Sequence, residues 1–239
     1  MSVFEILFGI KESDIKKTCI LMPLAARSTL EAFGVKDLSR GKLYSAANSE
    51  HFSLVRTGIG THLLGDAVLY LDKTSCENIV LFGSCGLVKA VRDMAIGGLA
   101  SPFESLACES FTQVLEEKIE NCGLSRADES LFNELMKHDK NGLVKKARCV
   151  TFGSLKMEKE KLRFFAKRDI DIVDMECSAL FSAARHIKKR AVALFYITDN
   201  VTSQPFYKPL PTPLKIGIMS SINYAIETIR VLAEDLSKK

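Results

Sequence analysis

The chain has 239 residues, with 33 Lys and Arg against 29 Asp and Glu for a formal charge of +4; 47% of residues are hydrophobic and 26% charged. Those fractions belong to an ordinary globular chain and exclude collagen-like, low-complexity and wholly disordered classes. A charge of +4 over this length gives no argument for nucleic acid as a partner.

Seven cysteines lie at Cys19, Cys76, Cys85, Cys108, Cys122, Cys149 and Cys177, with no Cys-x-x-Cys pair. Their odd number, wide spacing and apolar surroundings read as small buried hydrophobes in a reducing compartment, not as a disulfide framework or zinc site. Residues 1–14 carry Glu5 inside a short apolar run and lack a basic start, so they do not read as a signal peptide. No apolar stretch approaches the roughly 20 residues needed to span a bilayer. The expectation is a cytoplasmic protein with no membrane partner, no metal and no cofactor.

In chain order, residues 18–22 form a strand candidate ended by Pro23, and 25–33 look helical. Residues 53–57 are a second strand, broken by Gly58-Ile59-Gly60; over 61–71, Leu64, Ala67, Val68 and Leu71 then share one helical face. Residues 78–82 are a β-branched apolar run broken by Gly83-Ser84-Cys85-Gly86, the pattern of a strand covered on both faces. Residues 93–101 read as strand, 109–121 as helix, and 123–142 as an exposed connection holding one short helix. Strands are expected at 147–152, 170–173 and 191–198, and helices at 158–168, 176–189 and, as a long terminal element, 216–236. Alternating strand and helix predict an α/β fold, a three-layer α/β/α arrangement on a mixed central sheet. The segment Gln204-Pro-Phe-Tyr-Lys-Pro-Leu-Pro-Thr-Pro is read as a loop over the domain rather than a linker, so residues 1–239 are expected to form one domain.

Ligands of open α/β sheets gather beyond the carboxyl ends of the strands, and four such ends hold unusual residues. Arg56-Thr57-Gly58-Ile59-Gly60-Thr61 opens a helix, where glycines permit close backbone approach and free N–H groups favour an anion or polar oxygen; the alternative is a tight strand-to-helix turn. Gly83-Ser84-Cys85-Gly86 leaves Ser84 and neighbouring N–H groups available for binding, but it is not Gly-x-Ser-x-Gly and supports no nucleophile. Val173-Asp174-Met175-Glu176 and Tyr196-Ile197-Thr198-Asp199 each put a carboxylate at a strand end. Each acid alone has the reading of a solvated helix cap. Together, on strands brought side by side by a crossover helix, Glu176 and Asp199 make a divided site: one accepts ribose hydroxyls and the other, protonated, is a general acid. His51 and His62 flank the Gly-Ile-Gly strand, so one of them is a candidate to line the site, whereas His138 and His186 read as solvated.

In this order the four stretches resemble the purine and uridine nucleoside phosphorylases and the methylthioadenosine/S-adenosylhomocysteine nucleosidases, over residues 17–233. The resemblance implies a mixed, partly barrel-like sheet, a homodimer or larger assembly, and cleavage of a nucleoside's N-glycosidic bond. It further implies that Met175 packs on the ribose, Glu176 holds its 2′-hydroxyl, Asp199 protonates or hydrogen-bonds purine N7, and Ser84 and Gly86 line the cavity with Gly58 near the substrate. Similar phosphorylases hold phosphate with an arginine two residues before the Gly-Ser turn, where this chain has Leu81; Arg27 is the nearest other candidate. Hydrolysis is therefore the expected reaction. The chain departs from those nucleosidases at Leu24-Ala25-Ala26, which lacks their water-activating Glu, and at 151–157, which lacks their Asp-Gln-Phe. A futalosine hydrolase, a phosphate-dependent phosphorylase and a non-catalytic nucleoside-binding protein remain the alternatives.

Overall fold

A strand that is apolar at every position must be covered on both faces, because successive side chains point to opposite sides. The computed structural model, which describes residues 1–89, 93–120 and 122–239, meets that demand. The strands are β1 (Thr18–Met22), β2 (Ser39–Arg40), β3 (Ser45–Asn48), β4 (Phe52–Arg56), β5 (Asn78–Leu87), β6 (Leu99–Cys108), β7 (Gly123–Arg126), β8 (Val144–Phe152), β9 (Ile172–Asp174) and β10 (Arg190–Asn200). The helices are α1 (Val3–Phe8), α2 (Arg27–Ala32), α3 (Thr61–Tyr70), α4 (Phe111–Leu115), α5 (Glu129–His138), α6 (Leu162–Lys167), α7 (Cys177–His186) and α8 (Thr212–Ser237).

Cys19 and Leu21 of β1, Ile79 and Leu81 of β5, and Ala191 and Ala193 of β10 pack with α1, α3 and α7 on one face. The intervening residues Ile20, Met22, Val80, Phe82, Val192 and Leu194 pack with α2, α5 and α8 on the other. This is the expected α/β/α layering. Among the described residues the strands make one ten-stranded sheet in the order β10-β6-β8-β9-β5-β1-β4-β3-β2, with β7 on β6 and a further β10–β5 pairing. That last pairing closes β5, β10, β6, β8 and β9 into a ring, the barrel-like part of the sheet. Parallel ladders (β1–β4, β1–β5, β5–β10, β6–β8) sit beside antiparallel ones (β5–β9, β6–β10, β3–β4), so the sheet is mixed.

Several elements differ from expectation. The strand expected at 93–101 begins at Leu99 and continues to Cys108, because the chain turns at Gly97, whose φ is +86°. Pro102, which cannot donate to a ladder, sits where the β6–β8 register shifts. The helix expected over 109–121 is the short α4, and residue 121 lies outside the described residues. The connection at 123–142 is less exposed than its charge suggests: β7 pairs with β6, and α5 buries Leu131, Phe132 and Leu135. Residues 1–14 hold an unanticipated helix, α1. Ser2 Oγ accepts the Glu5 N–H at its start, Gly9 ends it at φ +79°, and Phe4 stacks on Phe8 at 4.2 Å.

Phe82 is 2% exposed and meets Phe33 edge-on at 5.8 Å between ring centroids. Phe82→Ala is expected to cost about 3–5 kcal/mol of unfolding free energy through lost burial and the cavity left behind, measured by chemical denaturation.

Candidate active site

Of the ten residues of β5, Ser84 alone is exposed. Beside it on β10, Tyr196 pairs with Ser84 and Ile197 with Cys85; the register then shifts so that Asp199 pairs with Gly86. On the other edge of β5, Val173 of β9 also pairs with Gly86. A Cβ at Gly86 would stand 3.0 Å from Asp199 Oδ2 and 3.3 Å from Val173 Cγ1. Glycine at this one position lets both neighbouring strands close on β5 and keeps the Asp199 carboxyl over its end.

Strand β9 ends at Asp174, whose carboxylate starts the next helix. Its Oδ2 accepts the N–H groups of Glu176 (2.8 Å) and Cys177 (2.5 Å), and its Oδ1 accepts the Thr151 hydroxyl (2.7 Å). Met175 and Glu176 are held between this anchor and α7. The Glu176 Oε1 in turn accepts the N–H of Gly60 at 2.7 Å, at the N-terminus of α3. Gly58 and Gly60 adopt φ of +85° and +106°, which side chains rarely tolerate, and this presents that N–H. The polar oxygen that the Gly-Ile-Gly turn was expected to attract is therefore the chain's own Glu176.

Ser84, Gly86, Met175, Glu176 and Asp199 come together around one cavity of about 320 Å³, with Leu24, Ile59, Leu155 and Phe206 among its apolar lining. Gly58 is not part of the lining; Ile59 is. The two acids do not sit on adjacent strands as expected. They flank β5, because β9 and β10 pair with opposite edges of it. Neither His51 nor His62 lines the cavity: His51 lies against Ser237 of α8, and His62 borders a separate groove with His186. Leu81 is buried in the core, and Arg27 is exposed and paired with Glu31 at 3.0 Å.

The cavity also holds an acid that sequence reasoning passed over, Glu158. It opens the run Glu158-Lys-Glu-Lys161, at the start of the helix expected over 158–168; a 3-10 turn directs Glu158 inward, 5% exposed, and leaves Glu160 outside. Charge patterning alone does not distinguish the two glutamates.

Four carboxyl groups thus share the site. Burial pushes Asp174 up only to about 6, because the Thr151 hydroxyl and the N–H groups of Glu176 and Cys177 stabilise its charge. Glu176 is pushed up to about 8, first by burial and then by Asp174's charge, with the N–H groups of Gly60 and Met175 pulling it back. Asp199 is raised by burial and restrained by the Thr198 hydroxyl, which donates at 2.9 Å. Glu158 reaches about 8 through burial and then Asp199's charge.

A carboxyl whose folded pKa exceeds its unfolded value keeps a proton that the unfolded chain has lost. Its contribution to stability is fullest below the unfolded pKa and declines as pH rises through the folded one. For Glu176 that window runs from about 4.5 to about 8. Glu176→Gln, which cannot ionise, is expected to gain stability relative to the unmodified chain as pH rises through this window, measured by urea denaturation at a series of pH values.

The family model of the phosphorylase superfamily matches residues 16–206. No curated protein matches the chain by sequence. Among solved structures, a futalosine hydrolase mutant of Helicobacter pylori superposes with a TM-score of 0.72 at 14% identity, covering 92% of this chain and 100% of that one. An AMP nucleosidase from Bacteroides thetaiotaomicron gives 0.70 at 18% identity, covering 95% and 94%. A 5′-methylthioadenosine/S-adenosylhomocysteine nucleosidase from Helicobacter pylori gives 0.72 at 14% identity, covering 92% and 99%. At these identities the likeness is one of fold, and with the family match over most of its length the chain belongs to the phosphorylase superfamily.

Proposed function

We propose that the chain hydrolyses the N-glycosidic bond of a purine nucleoside. The observation that carries the reading is the convergence of Glu176, Met175 and Asp199 on one cavity, with the two acids on opposite sides of the β5 end. Cleavage passes through a sugar of oxocarbenium character while the base departs with the bonding electrons, so the reaction needs an acceptor for the ribose hydroxyls and a proton for the base. Asp199, whose pKa burial raises, is the proton donor to purine N7. Glu176, fixed through Oε1 by Gly60, receives the 2′-hydroxyl. Met175 packs on the ribose, and Ser84 and Gly86 form the floor below it.

Water is the nucleophile in this reading. Support comes from the lining of the cavity, which among the described residues includes no Lys, Arg or His to hold a phosphate, and from the positions of Leu81 in the core and Arg27 at the surface. Methylthioadenosine, S-adenosylhomocysteine and futalosine are the first substrates to test, given the resemblance of the fold to nucleosidases and a futalosine hydrolase. We infer as well that residues 1–239 act as one domain, since the sheet draws its strands from residues 18–200 and α8 packs back onto it.

Release of free base should occur at the same rate with and without phosphate, followed by separation of base and sugar products. A phosphate requirement with formation of a sugar 1-phosphate overturns the hydrolytic reading. Asp199→Asn is expected to lower kcat by about 10²-fold or more, and unchanged turnover removes it as the acid.

A further inference from the structure

We propose that Cys108 and Cys122 form a reversible disulfide by exchange with a small-molecule disulfide, which makes the β6–β7 hairpin a thiol-modification site. Strands β6 and β7 pair antiparallel as far as Ala107 opposite Gly123. The same register makes Cys108, the last residue of β6, and Cys122, the residue before β7, the next facing pair. Facing residues of an antiparallel pair stand about 4.5–5.5 Å apart at Cα, inside the range of roughly 4.4–6.8 Å that a disulfide spans. Their side chains also share one side of the hairpin: Cys108 is buried in the cluster of Leu106, Val114, Phe152 and Phe165, and Cys122 packs against that cluster. Neither cysteine lines the nucleoside cavity, so the inference stands apart from the reading of that site.

Access separates this pair from the other thiols. Six of the seven cysteines are buried, and Cys122 is half-buried. Cys19 interacts with Cys76 and Cys149 with Cys177, but all four are buried and no reagent in solution reaches their sulfurs. The Cys122 sulfur is placed by the carbonyl oxygen of Ile119, which accepts its S–H at 3.0 Å. Cys122 is held below the ordinary thiol range, first by the hydrogen bond from the Cys108 thiol and then, against its burial, by the guanidinium of Arg168, with Glu109 opposing. Arg168 is itself fixed, donating to the Glu120 carbonyl at 2.9 Å and lying 3.8 Å from the centroid of the Phe164 ring. Cys108 is pushed up by the same thiol pairing and by burial.

The thiolate is the nucleophile in exchange, so Cys122 attacks and Cys108 resolves. The Cys122 thiolate forms a bond to one sulfur of the small disulfide, and the other half leaves as a thiolate. Cys108 then loses its proton to that leaving thiolate and attacks the Cys122 sulfur, expelling the second half, which takes a proton from water. Two protein thiols are oxidised to one disulfide, and one small disulfide is reduced to two thiols. The second step needs no access from solvent, since its nucleophile is already opposite its target.

The test treats the reduced full chain with oxidised glutathione, quenches with acid, unfolds and alkylates the remaining thiols, and maps the peptides by mass. The unmodified chain is expected to lose about 2 Da before alkylation and to yield one linked pair within a single chain, Cys108 with Cys122, which dithiothreitol reopens. Cys108→Ser removes the resolving thiol, so glutathione should remain on Cys122; Cys108→Ala, which puts no hydroxyl in the apolar cluster, serves in its place should the serine variant fail to fold. Cys122→Ser should slow the loss of glutathione disulfide by about tenfold or more. The proposal is overturned by an unmodified chain that forms no link, keeps glutathione on Cys122 or links other cysteines, and equally by a Cys122→Ser variant that reacts as fast as the unmodified chain.

Discussion

Strand β5 changes neighbours along its length, and the cavity exists because of that change. Its first residues lie between β1 and β10, while Gly86 and Leu87 lie between β9 and β10. Two strands that carry acids are thereby drawn to opposite edges of one strand end. The arrangement depends on the missing side chain at Gly86, because a Cβ there would meet Asp199 and Val173 together. The placement of Asp199 over the end of β5 is a consequence of the same contact.

The carboxyl groups around this point are held by different means, and their chemistry differs accordingly. Asp174 accepts two backbone N–H groups and a hydroxyl, which hold its burial-raised pKa to about 6, and it serves as the anchor of α7. Glu176 takes one N–H from the glycine turn before α3, and this links the two helices on one face of the sheet to the cavity. Glu158 has no donor among the described residues and resists ionisation without such compensation. Desolvation is common to all of them; what separates their roles is how many donors the backbone delivers to each.

The core strands were legible in the sequence because continuous apolar runs admit one explanation, burial on both faces. Residues 18–22 and 78–82 fall inside β1 and β5 for that reason. Carboxylates mark the ends of β9 and β10, but Gly83-Ser84-Cys85-Gly86, expected to break a strand at Phe82, lies within β5, which pairs with β10 as far as Leu87. The helix α1 was also written in the chain, as Ser2 three residues before Glu5 with Gly9 beyond, a capping pattern obscured by the short apolar run between them. Strand β7 was hidden because only one of its four residues is buried, and the buried face of α5 because Leu131, Phe132 and Leu135 alternate with polar and charged residues in a charge-rich segment.

By itself the sequence determined the layered α/β arrangement, the four stretches where glycine and carboxylate residues break the apolar pattern and the kinship with the phosphorylase superfamily, since each rests on local pattern or on motifs in fixed order. Tertiary structure alone decided which groups meet. It set Glu176 and Asp199 across β5 rather than side by side, gave the Gly-Ile-Gly turn an internal carboxylate as its anion, and turned Glu158 inward while Glu160 stayed in water. Those outcomes depend on register and on the direction of a single turn, which are set by packing between residues far apart in the chain and leave no periodic trace in it.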